Sequence, residues 1–154
     1  MSELNERNQR IIDEFRANGG KVGGPFVGKT LLLLHTKGAK SRQERINPVA
    51  CIQDGDRWVV IASKAGAPTH PDWYHNVVAD PQVTVEVGKE TFQAKATVAE
   101  EPERSRLYEK MVEVMPGFDD YRRKTTRVIP VIVLERVIAK ILKRSRRQLR
   151  VGYA

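Results

Sequence analysis

Ser63 and Lys64 place a hydroxyl and an ammonium within a run of small residues, Ala62, Ala65, Gly66 and Ala67. A backbone without bulky side chains can be approached closely by a ligand. Amide N–H groups, a hydroxyl and one positive charge in such a clearing suit phosphate or carbonyl oxygens. A second small-residue turn, at 36–43 (T-K-G-A-K-S-R-Q), carries Lys37, Lys40 and Ser41. Together the two turns describe a place for a flat, partly anionic ligand. Tight packing between a strand and a helix would use the same small residues, so this stretch alone leaves both readings open.

Other chemistries lack their residues. There is no G-x-S-x-G, no H-E-x-x-H and no P-loop. His35, His70 and His75 are not spaced as helical metal ligands, so no metal site is expected. The single cysteine, Cys51, excludes an intramolecular disulfide and a cysteine cluster for zinc. It lies in an apolar strand pattern, as a buried inert thiol would. An enzyme built from these residues would take its chemistry from an organic cofactor.

The elements that must position the two turns follow from periodicity. Residues 3–18 carry Leu4, Ile11, Ile12 and Phe15 on one helical stripe, stopped by Gly19-Gly20. Residues 21–28 are a glycine-rich loop, read either as a connector or as a flap. Leu31 to Leu34 form a solid apolar run, the mark of a buried strand. The strand at 44–53 contains Asn47-Pro48, and proline there implies an edge, a bulge or a missing ladder partner. Asp54-Gly55 signals a hairpin into the apolar run 58–61. A helix at 71–79 is expected to start at a Thr69 or His70 cap, with Pro71 in its first turn. Alternating Val83, Val85 and Val87, then Phe92, Ala94, Ala96 and Val98, predict two half-buried strands. Leu107, Tyr108, Met111, Val112 and Met115 predict a helix with a core face. Residues 118–127 read as a charged connector, and 128–134 as the last strand. Six mostly hairpin-connected strands with peripheral helices favour an antiparallel barrel over a βαβ fold.

The chain has 154 residues, 40% of them hydrophobic and 30% charged, which suits a single domain with a real core. Its net charge of +8 is concentrated at 137–154, which hold six basic residues and no acid. The body is nearly balanced, so no nucleic-acid partner is expected. The polar, acidic N-terminus and the lack of a long apolar run point to the cytoplasm. Val137, Ile138, Ile141, Leu142 and Leu149 oppose the basic face of that tail, the pattern of an interfacial helix. A helix packed on the barrel or on a second copy in a homodimer would show the same pattern.

The blocks E-F-R-A-N-G-G-K-V-G-G-P-F (14–26), T-K-G-A-K-S-R-Q-E-R-I-N-P-V (36–49), D-G-D-R-W-V-V-I-A-S-K-A-G-A-P-T-H-P-D-W-Y-H-N (54–76) and R-V-I-P-V-I-V-L (127–134) carry a resemblance. Over about residues 5–134 the chain resembles the deazaflavin (coenzyme F-420)-dependent nitroreductase family. The resemblance implies an α+β split β-barrel at 1–136, of the FMN-binding split-barrel type, with 137–154 as an added tail. It implies hydride transfer from the reduced 8-hydroxy-5-deazaflavin coenzyme to quinone, nitroaromatic or enone acceptors. It places the coenzyme phosphate on Lys40 and Ser41, the ring against Asn47, Pro48 and Val49, and both on Ala62, Ser63, Lys64, Gly66 and Ala67. Trp73 and Asn76 match the helix behind, and Phe118 and Tyr121 the aromatics over the substrate. Tyr121 is the expected hydrogen-bond donor to the acceptor. Ala39 stands where many members carry arginine, which shifts phosphate binding toward Lys37, Lys40 and Lys64. Ala65 replaces a common glycine, and Lys124 an aromatic beside the substrate. An FMN-dependent reductase of the same barrel type and a non-enzymatic deazaflavin carrier are the alternatives.

Overall fold

The computed structural model describes residues 3–137. The basic stretch 138–154, with the helix and membrane contact expected of it, lies outside them.

The chain runs α1 (Glu3–Ala17), β1 (Leu31–Lys37), β2 (Glu44–Asp54), β3 (Arg57–Ile61), α2 (Asp72–Ala79), β4 (Gln82–Val87), β5 (Glu90–Val98), α3 (Glu103–Val114), α4 (Gly117–Arg123) and β6 (Val131–Arg136). Single 3-10 turns occur at Gly24–Phe26 and Lys64–Gly66. Every strand pair is antiparallel, and the strands close into a barrel in the order β1-β2-β3-β6-β5-β4.

Three apolar clusters explain the sequence patterns. The barrel interior takes Leu32, Leu34, Val60, Val83, Val85, Phe92, Ala94, Ile132 and Leu134, and α2 plugs it with Trp73 and Val77. On the outer face, α3 and α4 cover Ile52, Val59, Ile61, Val131 and Val133 with Leu107, Tyr108, Met111 and Phe118. α1 covers Leu31 and Leu33 with Ile12 and Phe15. Strands buried on both faces read as solid apolar runs, whereas β4 and β5, wet on their outer face, alternate. Cys51 is 1% exposed, and burial pushes its thiol up to about 12.

Four expectations need correction. β1 continues through Thr36 and Lys37, which pair with Arg45 and Glu44 of β2, so the basic turn proper is shorter. β6 begins at Val131, not Val128: Val128 is 68% exposed, and the Pro130 carbonyl accepts from the Ala62 amide. Pro71 itself occupies the N-cap of α2, with no side-chain cap from Thr69 or His70. The charged connector contains α4, started by Pro116 and pinned where the Tyr108 hydroxyl donates to the Phe118 carbonyl at 2.6 Å. Among the described residues no helix is long and apolar enough to cross a membrane.

Candidate functional site

β1 and β3 both run antiparallel to β2, so the turn after β1 and the segment after β3 lie at one end of the barrel. The N-terminal half of β2 lies between them. There β2 pairs with β1 from Glu44 to Ala50, but β3 pairs only with Cys51 to Asp54. Residues 44–50 therefore have an open ladder on the β3 side. Pro48 lies in that stretch, as a strand with a missing partner tolerates. Asn47, Pro48 and Val49 are each half-buried, and Val49 packs on the barrel interior.

The segment after β3 makes an unusual turn. Ser63 is right-handed helical (φ −79°, ψ −36°), and Lys64, Ala65 and Gly66 then have φ of 47°, 54° and 81°. A right-to-left-handed succession turns consecutive N–H groups into one concavity, a nest for an anion. The Gly66 and Ala67 amides close the turn on the Ser63 and Lys64 carbonyls. The amides of Ser63, Lys64 and Ala65 have no acceptor among the described residues. Left-handed backbone costs about 1–2 kcal/mol for a non-glycine residue, so two neighbouring ones need an external hold.

Arg127 supplies the hold. Its guanidinium donates to the carbonyls of Ala67 (2.8 Å), Ala62 (3.2 Å) and Ser63 (2.7 Å) and to His70 Nδ1 (2.7 Å). Burial lowers the pKa of Arg127, and burial, the Arg127 charge and His75 lower that of His70. Sequence reasoning missed this residue. Its one signal was an arginine directly ahead of the apolar run 128–134, where a half-buried cation must find acceptors.

The basic turn is tied to the same end of the barrel. Asn76 of α2 accepts from the Ala39 amide at 3.0 Å and donates to the Thr36 hydroxyl at 3.0 Å. Asn76 is 7% exposed, so its part is to hold the turn. Trp73 packs in the barrel interior. Lys37, Lys40 and Ser41 are exposed, the Ser41 hydroxyl accepting from the Gln43 amide. Neither Lys37 nor Lys40 has an ion-pair partner among the described residues. Lys64 is exposed and donates to the Thr69 hydroxyl at 3.2 Å. On the far side of the basic turn, a cavity of about 310 Å³ includes Lys37, Arg42, His35, Glu44 and Asp80 in its wall. Arg42 there pairs with Asp80 at 3.4 Å, and His35 bridges Glu44 and Glu86 at 2.5 Å each.

α4 lies against the nest. A Cβ on Gly66 would stand 2.8 Å from the Tyr121 carbonyl and 2.9 Å from Lys124 Cβ. Phe118 is 8% exposed and faces the core under α4, with its ring edge-on to Tyr121 at 5.2 Å. Tyr121 is half-buried, its ring 5.9 Å from the Lys124 ammonium, and its hydroxyl has no partner among the described residues. The structure thus gathers residues 62–67 with Tyr121 and Lys124, and ties residues 36–41 to α2 through Asn76. It buries Trp73, Asn76 and Phe118 behind them.

Over residues 7–136 the chain matches the family described as F420H(2)-dependent quinone reductase. It is 38% identical over 126 residues to an F420H(2)-dependent quinone reductase of Mycobacterium tuberculosis, covering 79% of this chain and 85% of that one. Two solved structures share the fold at substantial identity. An F420-H2 dependent reductase is 37% identical with a TM-score of 0.64, covering 68% of this chain and 93% of that one. A protein solved as a domain-swapped dimer is 33% identical with a TM-score of 0.66, covering 86% and 96%.

Proposed function

Because this chain belongs to the F420H(2)-dependent quinone reductase family, we propose that its open β2 edge and nest bind the reduced deazaflavin coenzyme beside a quinone-type acceptor. The protein is an oxidoreductase, and its acceptors are quinones, nitroaromatics or enones. The observation that carries the site is the meeting of two lysine-bearing turns at one barrel end, flanking a half of β2 that is paired with β1 but open on its β3 side.

The donor set fits such a ligand. Amides at Ser63, Lys64 and Ala65 without an acceptor among the described residues, with the Lys64 and Lys40 ammonium groups, suit a phosphodiester and a carboxylate tail. Each charge-assisted contact is worth about 1.5–3 kcal/mol, and less where water reaches it. Asn47, Pro48 and Val49 offer a flat, half-buried strand face to a ring. When bound, the reduced coenzyme supplies a hydride from carbon. The residues of the chain orient the partners and exclude water from one side. Tyr121 on α4, whose hydroxyl has no partner among the described residues, donates to the acceptor oxygen on which negative charge develops. Lys124 adds positive charge at the same wall.

The test is twofold. Titration of the coenzyme by fluorescence quenching should give saturable binding, and menadione, nitroaromatic and enone acceptors should oxidise the reduced form in the presence of the protein. A protein that purifies with a yellow flavin and ignores deazaflavin would replace this reading with the FMN-dependent one.

A further inference from the structure

The mechanism needs outward amides in the nest, and something must orient them. In a trans peptide the carbonyl and the following N–H point in opposite directions. The Ala62 and Ser63 carbonyls both point at the Arg127 guanidinium. The Ser63 and Lys64 amides, in the same two peptide planes, therefore point away from it. The Ala67 carbonyl completes the ring of acceptors around the fork. A planar guanidinium can serve three carbonyls in fixed directions, which an ammonium on a flexible stem cannot.

The fourth partner is chemically different. A guanidinium only donates, so His70 Nδ1, 2.7 Å away, must present its lone pair. The His70 ring is then neutral, with its proton on Nε2. Protonation at Nδ1 would set N–H against N–H and cation against cation. Among the described residues, the groups facing His70 are Arg127 and, from α2, the rings of Tyr74 (centroids 4.6 Å apart) and His75 (6.0 Å). None is a carboxylate that would stabilise the imidazolium, and the pKa of His70 is lowered accordingly.

We infer that Arg127 is the positioning residue of the anion-binding turn and that His70 makes its hold proton-sensitive. With His70 neutral the guanidinium is seated and the amides face outward. With His70 protonated the seat is lost and affinity for an anionic ligand falls. The inference rests on the cofactor reading only for the identity of that ligand.

The test compares wild type with His70→Asn, which keeps a side-chain acceptor and cannot take up the proton. Coenzyme affinity is measured by fluorescence quenching at about pH 8 and about pH 5.5. Wild type should lose severalfold more affinity on acidification than His70→Asn does. The ligand's own ionisation is common to both proteins and cancels in that ratio. In ligand-free protein, the Ser63 and Lys64 amide resonances should titrate with a midpoint below 6.5 in wild type and stay fixed in His70→Asn. Arg127→Lys, which keeps the charge and removes the fork, should weaken binding about tenfold at about pH 8. Equal pH dependence in the two proteins, or wild-type affinity in Arg127→Lys, overturns the inference. Failure of wild type to bind at either pH sinks the cofactor reading instead, and the amide titration then decides the role of His70 by itself.

Discussion

Asn76 on α2 and Ala39 in the turn after β1 are joined by one hydrogen bond of 3.0 Å, from the Ala39 amide to the Asn76 side-chain oxygen. The same side chain donates to Thr36, which is 2% exposed. One buried amide thus fixes a basic turn to the helix that plugs the barrel. Asn76→Ala would leave two polar groups unpaired, each costing about 1–3 kcal/mol where water cannot replace the partner. Urea denaturation should show a loss of about 2 kcal/mol, and coenzyme affinity should fall severalfold as the turn is released. Unchanged stability would mean that water satisfies both groups.

Ala65 and Gly66 are both left-handed, but only one is glycine. Ala65→Gly should therefore stabilise the protein, by up to about 1 kcal/mol after the entropy of the unfolded glycine is subtracted. Gly66→Ala should act in the opposite sense, since its Cβ would meet the Tyr121 carbonyl at 2.8 Å and Lys124 at 2.9 Å. A loss of about 1–3 kcal/mol is expected, with α4 displaced from the nest. Thermal melts of the two variants should move in opposite directions. A common direction would contradict the turn's conformation.

Asp54 accepts from Arg106, Arg57 and Lys110, at 3.2, 2.6 and 3.1 Å. These three hydrogen bonds hold its carboxyl well below the ordinary value of 3.8. A depressed carboxylate stabilises the fold fully above its unfolded value, and that contribution disappears as pH falls through the folded one. Asp54→Asn should thus be less stable than wild type at neutral pH, by about 1–2 kcal/mol given the exposure of its partners. The two should converge as pH drops below about 4. Urea midpoints that stay parallel across that window would remove Asp54 from the acid response.

Much of the fold was readable because burial on one or both strand faces leaves different patterns. The solid run Leu31 to Leu34 and the alternation at Val83, Val85 and Val87 each meant what they said. Pro48 marked the missing ladder partner, and the Asp54-Gly55 hairpin appeared with its pairing of Asp54 and Arg57. α4 was hidden because it offers only Phe118 and Tyr121 to a core, too few for a period to show. The ends of β1 and β6 were misplaced because Thr36 and Lys37 are polar yet paired, and Val128 is apolar yet exposed. Arg127 could not be found from local pattern at all: its four partners lie 57 to 65 positions away. Such a hub is a property of closure of the barrel, not of any window of sequence.

Lys64 offers the nest its side chain as well as its amide, and among the described residues its ammonium has only the exposed Thr69 hydroxyl as a partner. Lys64→Ala should weaken coenzyme binding about tenfold, roughly 1.4 kcal/mol for one phosphate contact. Stability should hold or rise slightly, because alanine tolerates the left-handed position no worse than lysine. Lys40→Ala should weaken binding by a smaller factor, from a turn open to solvent. Equal affinity for wild type and both variants would take the anion site away from these turns.

Tyr121 presents a hydroxyl without a partner among the described residues, on a helix packed against the nest, and its ring stands edge-on to the buried Phe118. A free donor held by a rigid ring is preorganised: little is spent in turning it toward a developing charge. Such a donor acts on the transition state more than on the ground state, so its loss should appear in kcat. Removing one donor from a closed site costs about 2.7–4 kcal/mol; Tyr121 is half-buried, so water can substitute and the cost should be smaller. Tyr121→Phe keeps the ring, the contact with Phe118 and the position of the Lys124 ammonium. It should bind coenzyme as wild type does and turn over a quinone severalfold more slowly. The Lys124→Met variant separates the two groups: it removes charge from the same wall, and so should depress turnover most with nitroaromatic acceptors, whose oxygens gather negative charge. If Tyr121→Phe turns over every accepted substrate at the wild-type rate, the tyrosine is a wall of the pocket, and catalysis rests on how the β2 edge and the nest position the partners.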